Sequence, residues 1–130
     1  MKNLLLCCLL LCNTVLFAQT ESKEKIYTFV DREAAFKGGQ KAMAAYFQKN
    51  IVYPQAAIQS NTEGKCYLRF VISKRGTVSK VIVDRGVKNC PECDEEAVRV
   101  IKNMPKWKPA KYKGKKVNSY FTLPINFTLD

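Results

Sequence analysis

The chain has 130 residues, 47% of them hydrophobic, with 22 Lys and Arg, 11 Asp and Glu and no histidine, for a formal net charge of +11. That length holds one domain, and the missing histidine removes the commonest general base and the commonest metal ligand. The charge favours anionic partners, but no nucleic-acid-binding motif accompanies it, so nucleic acid is not expected among them.

In chain order, Met1, Lys2 and Asn3 give a short positive start, and residues 4–18 are apolar apart from Asn13 and Thr14. Ala18 before Gln19 is a small residue at a plausible cleavage point, so residues 1–18 read as an export signal. The stretch is shorter than the roughly 20 apolar residues a membrane-crossing helix needs, and an uncleaved inner-membrane anchor is the alternative. Cys7, Cys8 and Cys12 follow Leu or Cys where lipid attachment needs a small residue, which argues against a lipoprotein. Cleavage leaves about 112 residues with a charge near +10, expected in the periplasm. Cys66, Cys90 and Cys93 remain, enough in an oxidising compartment for one disulfide and one thiol.

Residues 19–30 are a flexible polar lead followed by a short strand from Ile26, and the domain proper spans 31–130. Gly38 and Gly39 break the chain before a helix over 40–49, where Ala42, Met43, Tyr46 and Phe47 recur at helical spacing. Tyr53-Pro54 restarts the chain, with a helical turn expected over 54–60. Gly64 opens a hairpin in which Cys66, Leu68, Phe70 and Ile72 alternate, Lys74-Arg75-Gly76 turns, and residues 78–83 return. Val78 and Ile82 share one parity and Val81 and Val83 the other, which predicts a bulge between Ser79 and Lys80. A second helix opens at Asp94, Glu95 and Glu96, buries Ala97, Val100, Ile101 and Met104, and stops at Pro105. Lys111, Lys113, Lys115 and Lys116 surround Gly114 as a solvated turn.

The final strand carries the clearest pattern. Val117, Phe121, Leu123, Ile125, Phe127 and Leu129 fall on one parity, and Tyr120, Thr122, Pro124, Asn126 and Thr128 on the other. Pro124 has no N–H for a ladder, so a place at a sheet edge is expected. Such an edge is either a liability blunted by Pro124 or a docking rail for an extended peptide. The elements together predict a two-layer α+β domain: a three-stranded antiparallel sheet with one face covered by two helices, in the order helix, strand, strand, helix, strand.

Little here points to catalysis. No serine sits in a nucleophile motif, and Asp94, Glu95 and Glu96 are consecutive, so on a helix they point apart and read as capping charge. Cys90 and Cys93 have redox spacing before a helix, but the βαβ context of a thioredoxin-like site is absent, so a structural disulfide is expected, within the pair or from Cys66 to one member. Three cysteines without histidine fall short of a zinc site, and no cofactor is expected. Tyr120, on the opposite face from the apolar set, is where a visiting peptide could touch.

Several segments in order resemble the C-terminal domain of TonB, the energy transducer of outer-membrane transport, in its Bacteroidetes-type form. They are Phe36-Lys-Gly-Gly39; Tyr53-Pro54; Gly64 before Phe70-Val71; Gly76, Val78, Val81, Val83, Arg85 and Gly86; Asp94-Glu-Glu-Ala97 with Arg99-Val100; Met104-Pro-Lys-Trp107 with Pro109; Gly114; and Leu123-Pro-Ile-Asn-Phe127. The resemblance implies a non-enzymatic domain that binds the TonB-box peptide of TonB-dependent outer-membrane receptors by strand addition. The implied contact residues are Tyr120, Phe121, Thr122, Leu123, Pro124, Ile125, Asn126 and Phe127, with Gln55 and Gln59 from the stretch after Tyr-Pro. It also implies transport of siderophores, vitamin B12 or glycans and, if the N-terminus is an anchor, an ExbB/ExbD-type inner-membrane complex as partner. The chain departs from that pattern in having no proline-rich spacer. A lead of about ten residues reaches at most roughly 35 Å, a short span for crossing a periplasm. Three rival classes stay open: a free envelope adaptor for wall or anionic surface polymers, a basic surface binder sensitive to salt, and a CxxC redox protein. A homodimer through the last strand is a further expectation, since one open edge can satisfy another.

Overall fold

The computed structural model describes residues 24–129, and the expected export signal at 1–18 lies outside them. The elements run β1 (Ile26–Tyr27), α1 (Gly39–Asn50), α2 (Gln55–Gln59), β2 (Gly64–Ile72), β3 (Val78–Arg85), α3 (Pro91–Lys102), β4 (Ala110–Tyr112) and β5 (Lys115–Phe127). The α+β class is as expected, and the central antiparallel set is β5-β2-β3. Two short strands enlarge the expected three. β1 pairs in parallel with β5 at Asn118 and Ser119, and β4 forms a hairpin with the start of β5. β1 is the short strand expected from Ile26, and β4, at three residues, is too short to show alternation, which is why the sequence pattern does not reveal it. The turn after Pro54 is a third, short helix.

β2 and β5 make the spine of the sheet, paired without a break from Gly64↔Phe127 to Ile72↔Ser119. Their inward set, Cys66, Leu68, Phe70, Ile72, Leu123, Ile125 and Phe127, is buried, while Tyr67, Arg69, Tyr120 and Thr122 face outward. The β2–β3 register slips between Arg69↔Ile82 and Val71↔Ser79, with Lys80 at φ 51, which is the expected bulge.

Trp107 holds the aromatic heart of the core. It sits edge-on to Phe36, Phe70 and Phe121, at centroid distances of 5.6, 5.8 and 4.8 Å. Its backbone N–H donates to the Gly76 carbonyl at 2.9 Å, docking the chain after α3 onto the β2–β3 turn. Gly76 has φ +85, and a Cβ there would lie 2.1 Å from the Trp107 oxygen, so both the turn and the close approach require glycine.

α3 starts three residues earlier than the acidic run suggested. Pro91 is pre-shaped for a first turn, and the Cys90 sulfur accepts the Cys93 N–H at 3.1 Å as the cap. With the cap supplied by sulfur, the Asp94 carboxylate instead accepts the Val87 N–H at 2.8 Å, lying over Gly86, where a Cβ would come within 2.2 Å of it. The Cys90 and Cys93 sulfurs are at bonding distance, 2.14 Å, with Cα atoms 5.3 Å apart. The pairing is therefore within the CxxC, and Cys66 stays a buried thiol.

Candidate functional site

The two sides of β5 differ, and backbone alternation says how. Ser73 donates its N–H to Thr77 across the β2–β3 turn, so Ser73 faces β3 and its neighbour Ile72 faces β5. Ser119, opposite Ile72, then spends its backbone on β2, as do Phe121, Leu123, Ile125 and Phe127 by alternation. Thr122, Pro124 and Asn126 turn theirs the other way. On that side β1 covers only Asn118 and Ser119, and no strand among the described residues pairs with β5 beyond them. The free side carries carbonyls at Thr122, Pro124 and Asn126 but N–H donors only at Thr122 and Asn126. Pro124 is tolerated there because the donor it lacks faces no partner. The edge place is thus correct for the stretch beyond Tyr120, whereas at Ser119 the strand has β1 on one side and β2 on the other.

Beside this edge runs a hollow of about 400 Å³ walled by α1. Ala44, Phe47, Gln48 and Ile51 line it from the helix side, Tyr53 from the loop that follows, and Pro124, Ile125, Asn126, Phe127 and Thr128 from the strand. The hollow stays open because α1 presents alanine at its middle. Two contacts hold the helix end in place. Glu96 on α3 accepts the Val52 N–H at 2.6 Å, and Arg99 donates to the Asn50 carbonyl at 2.9 Å. Glu96 and Arg99 also pair at 2.7 Å, and that hydrogen bond holds the Glu96 carboxyl below its ordinary range. Tyr53 packs edge-on against Phe127 and donates its hydroxyl to the Thr62 carbonyl; burial raises its phenol.

The sequence-derived residues divide by accessibility. Tyr120, Thr122, Pro124 and Asn126 are exposed, and the Arg69 guanidinium lies 5.6 Å over the Tyr120 ring. Leu123, Ile125 and Phe127 give their side chains to the core and Phe121 packs against it, and the backbone of all four is spent on β2. Gln55 and Gln59 are exposed on α2 and do not line the hollow. Ala44, Gln48 and Ile51 carry no sequence signal of their place, because nothing local in a helix says which strand it will lie beside. Cys66 is buried, and burial pushes its thiol up to about 12, which removes it from thiol chemistry at neutral pH. Among the described residues no cluster of His, Cys, Asp and Glu could hold a metal, and no helix is long and apolar enough to cross a membrane.

Comparisons with known proteins agree with this architecture. No curated protein matches the chain. Two NMR solution structures of the Helicobacter pylori TonB-CTD share its fold. The longer is 21% identical with a TM-score of 0.50, covering 69% of this chain and 78% of that one. The shorter is 20% identical with a TM-score of 0.51, covering 68% and 90%. The model of the family described as Gram-negative bacterial TonB protein C-terminal matches residues 49–129, more than half of the chain, from the end of α1 through β5. The chain belongs to the TonB C-terminal family.

Proposed function

We propose that this protein is a periplasmic TonB-like module that binds the TonB-box segment of outer-membrane receptors by adding it as a strand to β5. The observation that carries this reading is the unpaired side of β5 around Thr122, Pro124 and Asn126, next to the hollow under α1. An extended peptide there gains main-chain hydrogen bonds at Thr122 and Asn126. Its alternate side chains enter the hollow against Phe47, Ile51 and Tyr53, which supplies selectivity. The domain performs no bond chemistry in this reading. It holds a peptide on which a pull can act, in support of energy-dependent import of siderophores, vitamin B12 or glycans.

The test is NMR titration of the chain from Gln19 onward with TonB-box peptides from receptors of the same organism. Every residue of the buried core cluster lies between Ala34 and Phe127, so this shortened chain keeps the whole core. The expected result is amide shifts at Thr122 and Asn126 with side-chain shifts at Phe47 and Ile51, little changed by salt. Binding of anionic polymer at the lysine-rich turn instead, abolished by about 0.5 M salt, overturns it in favour of the surface-binder class.

A further inference from the structure

We propose that β1 and the bend behind it form an end stop on the docking edge, which limits the added strand to about six or seven residues and fixes its register. This rests on the receptor-peptide reading and adds to it a property of the site. β1 lies on the side of β5 away from β2, collinear with the free stretch that would take the peptide. It runs parallel to β5 past Ser119 and then bends off at Thr28 and Phe29, where the edge becomes free.

The stop is tied down at both ends. Before it, Glu24 bonds Lys74 at 2.9 Å and Asn118 at 3.0 Å, joining β1 to the β2–β3 turn and to β5. After it, the Asp31 and Arg32 N–H groups donate to the Lys111 carbonyl, and the Asp31 carboxylate accepts the Lys113 N–H at 2.7 Å. In between, Tyr27 packs on Tyr112 at 5.1 Å. Thr28 and Glu33 thereby wall a hollow against Arg69, Tyr120 and Thr122, at the entrance to the free stretch. Phe29, 86% exposed, stands at the bend.

The free stretch runs from Phe121 to Phe127. At about 3.3 Å per residue that is on the order of 20 Å, room for six or seven extended residues. Register follows from the two ends. A peptide slipped two residues toward β1 must displace Thr28. One slipped two residues the other way gives up the donor at Thr122, because the next one along, at Pro124, does not exist. Open edges usually specify register weakly, and a stop at one end together with a missing donor in the middle removes that freedom.

The experiment is a length series of box peptides, from about five to eleven residues, titrated by calorimetry and NMR. It compares the chain from Gln19 with one that begins at Val30, and with a Tyr27→Pro variant that removes a ladder donor from β1 and keeps its length. With β1 intact, affinity should rise to about seven residues and then change less than about two-fold, with amide shifts ending at Phe121. In the other two, each further pair of residues should add about three- to ten-fold, with shifts reaching Asn118. The same length dependence in all three chains, or peptide shifts across Ile26 and Tyr27 in the intact chain, overturns the end stop while leaving strand addition standing. Absence of binding by every peptide to every chain defeats the receptor reading and the stop with it.

Discussion

The two halves of β5 lie on one continuous strand and differ in what surrounds them. From Lys115 to Ser119 the strand has β4 and then β1 along it, and Asn118 is tied to Glu24 and Lys74. Beyond Ser119 the same strand keeps β2 on one side and has a hollow on the other. Burial differs as well: Lys115 and Lys116 are exposed and Val117 is half-buried, whereas Leu123, Ile125 and Phe127 are buried. What distinguishes them most is the partner on the side away from β2: β1 takes Asn118 and Ser119, and among the described residues no strand takes the stretch from Phe121 to Phe127. The strand addition proposed above needs that asymmetry: a rigid strand to build on and an edge left open.

The largest expected effect attacks what both halves share. Trp107→Ala removes the ring between Phe36, Phe70 and Phe121, and should cost about 3–5 kcal/mol in denaturant unfolding, enough to blur the distinction by loosening the whole sheet. A loss under about 1 kcal/mol would show that the strand is held by its ladder alone.

A smaller change separates the halves. Ala44→Arg fills the hollow from the α1 side and should lower peptide affinity about ten-fold or more, while the unfolding free energy moves by less than about 0.5 kcal/mol. Equal affinity in the variant would place the peptide away from the α1 wall.

The clamp on α1 gives a pH signature. The Glu96 carboxyl is lowered in the fold, chiefly by its hydrogen bond to Arg99. Its contribution is therefore present above the unfolded carboxyl range near 4.3 and is lost as pH falls through the lower folded value. Comparing unfolding at pH 6 and pH 3, Glu96→Gln should flatten the profile by about 1 kcal/mol, a figure reduced for the solvent exposure of Arg99. An unchanged slope would mean that the helix end is held by packing.

The smallest effect is an expected absence of reaction. Cys66, buried and pushed to about 12, should resist iodoacetamide at pH 8 in the folded chain and react once denaturant opens it. Rapid labelling of the folded chain would mean that β2 opens locally next to the edge strand.

Much of this architecture was legible because it rests on periodicity and on residues with unusual backbone chemistry. The β5 alternation, the β2–β3 hairpin turning at Gly76, the bulge at Lys80, the restart at Pro54 and the stop at Pro105 all follow from the local chain. Pro124 alone predicted a side of the strand without a partner. Other features were illegible for definite reasons. β4 is too short to carry a period and is a strand only because β5 offers bonds, and the parallel pairing of the expected β1 with β5 depends on a partner far along the chain. Cys90 as a sulfur cap moved the start of α3, and the choice between a CxxC bond and a bond to Cys66 depended on which sulfurs the fold brought together. Gln55 and Gln59 were carried over by resemblance, and the fold sets them on α2, away from the hollow. The sequence by itself determined which faces are apolar and where backbone donors are missing, since both are properties of residues in order. Which segment of β5 stays open, which helix walls it and where the opening ends were decided only in three dimensions, because each depends on a neighbour brought in from far along the chain.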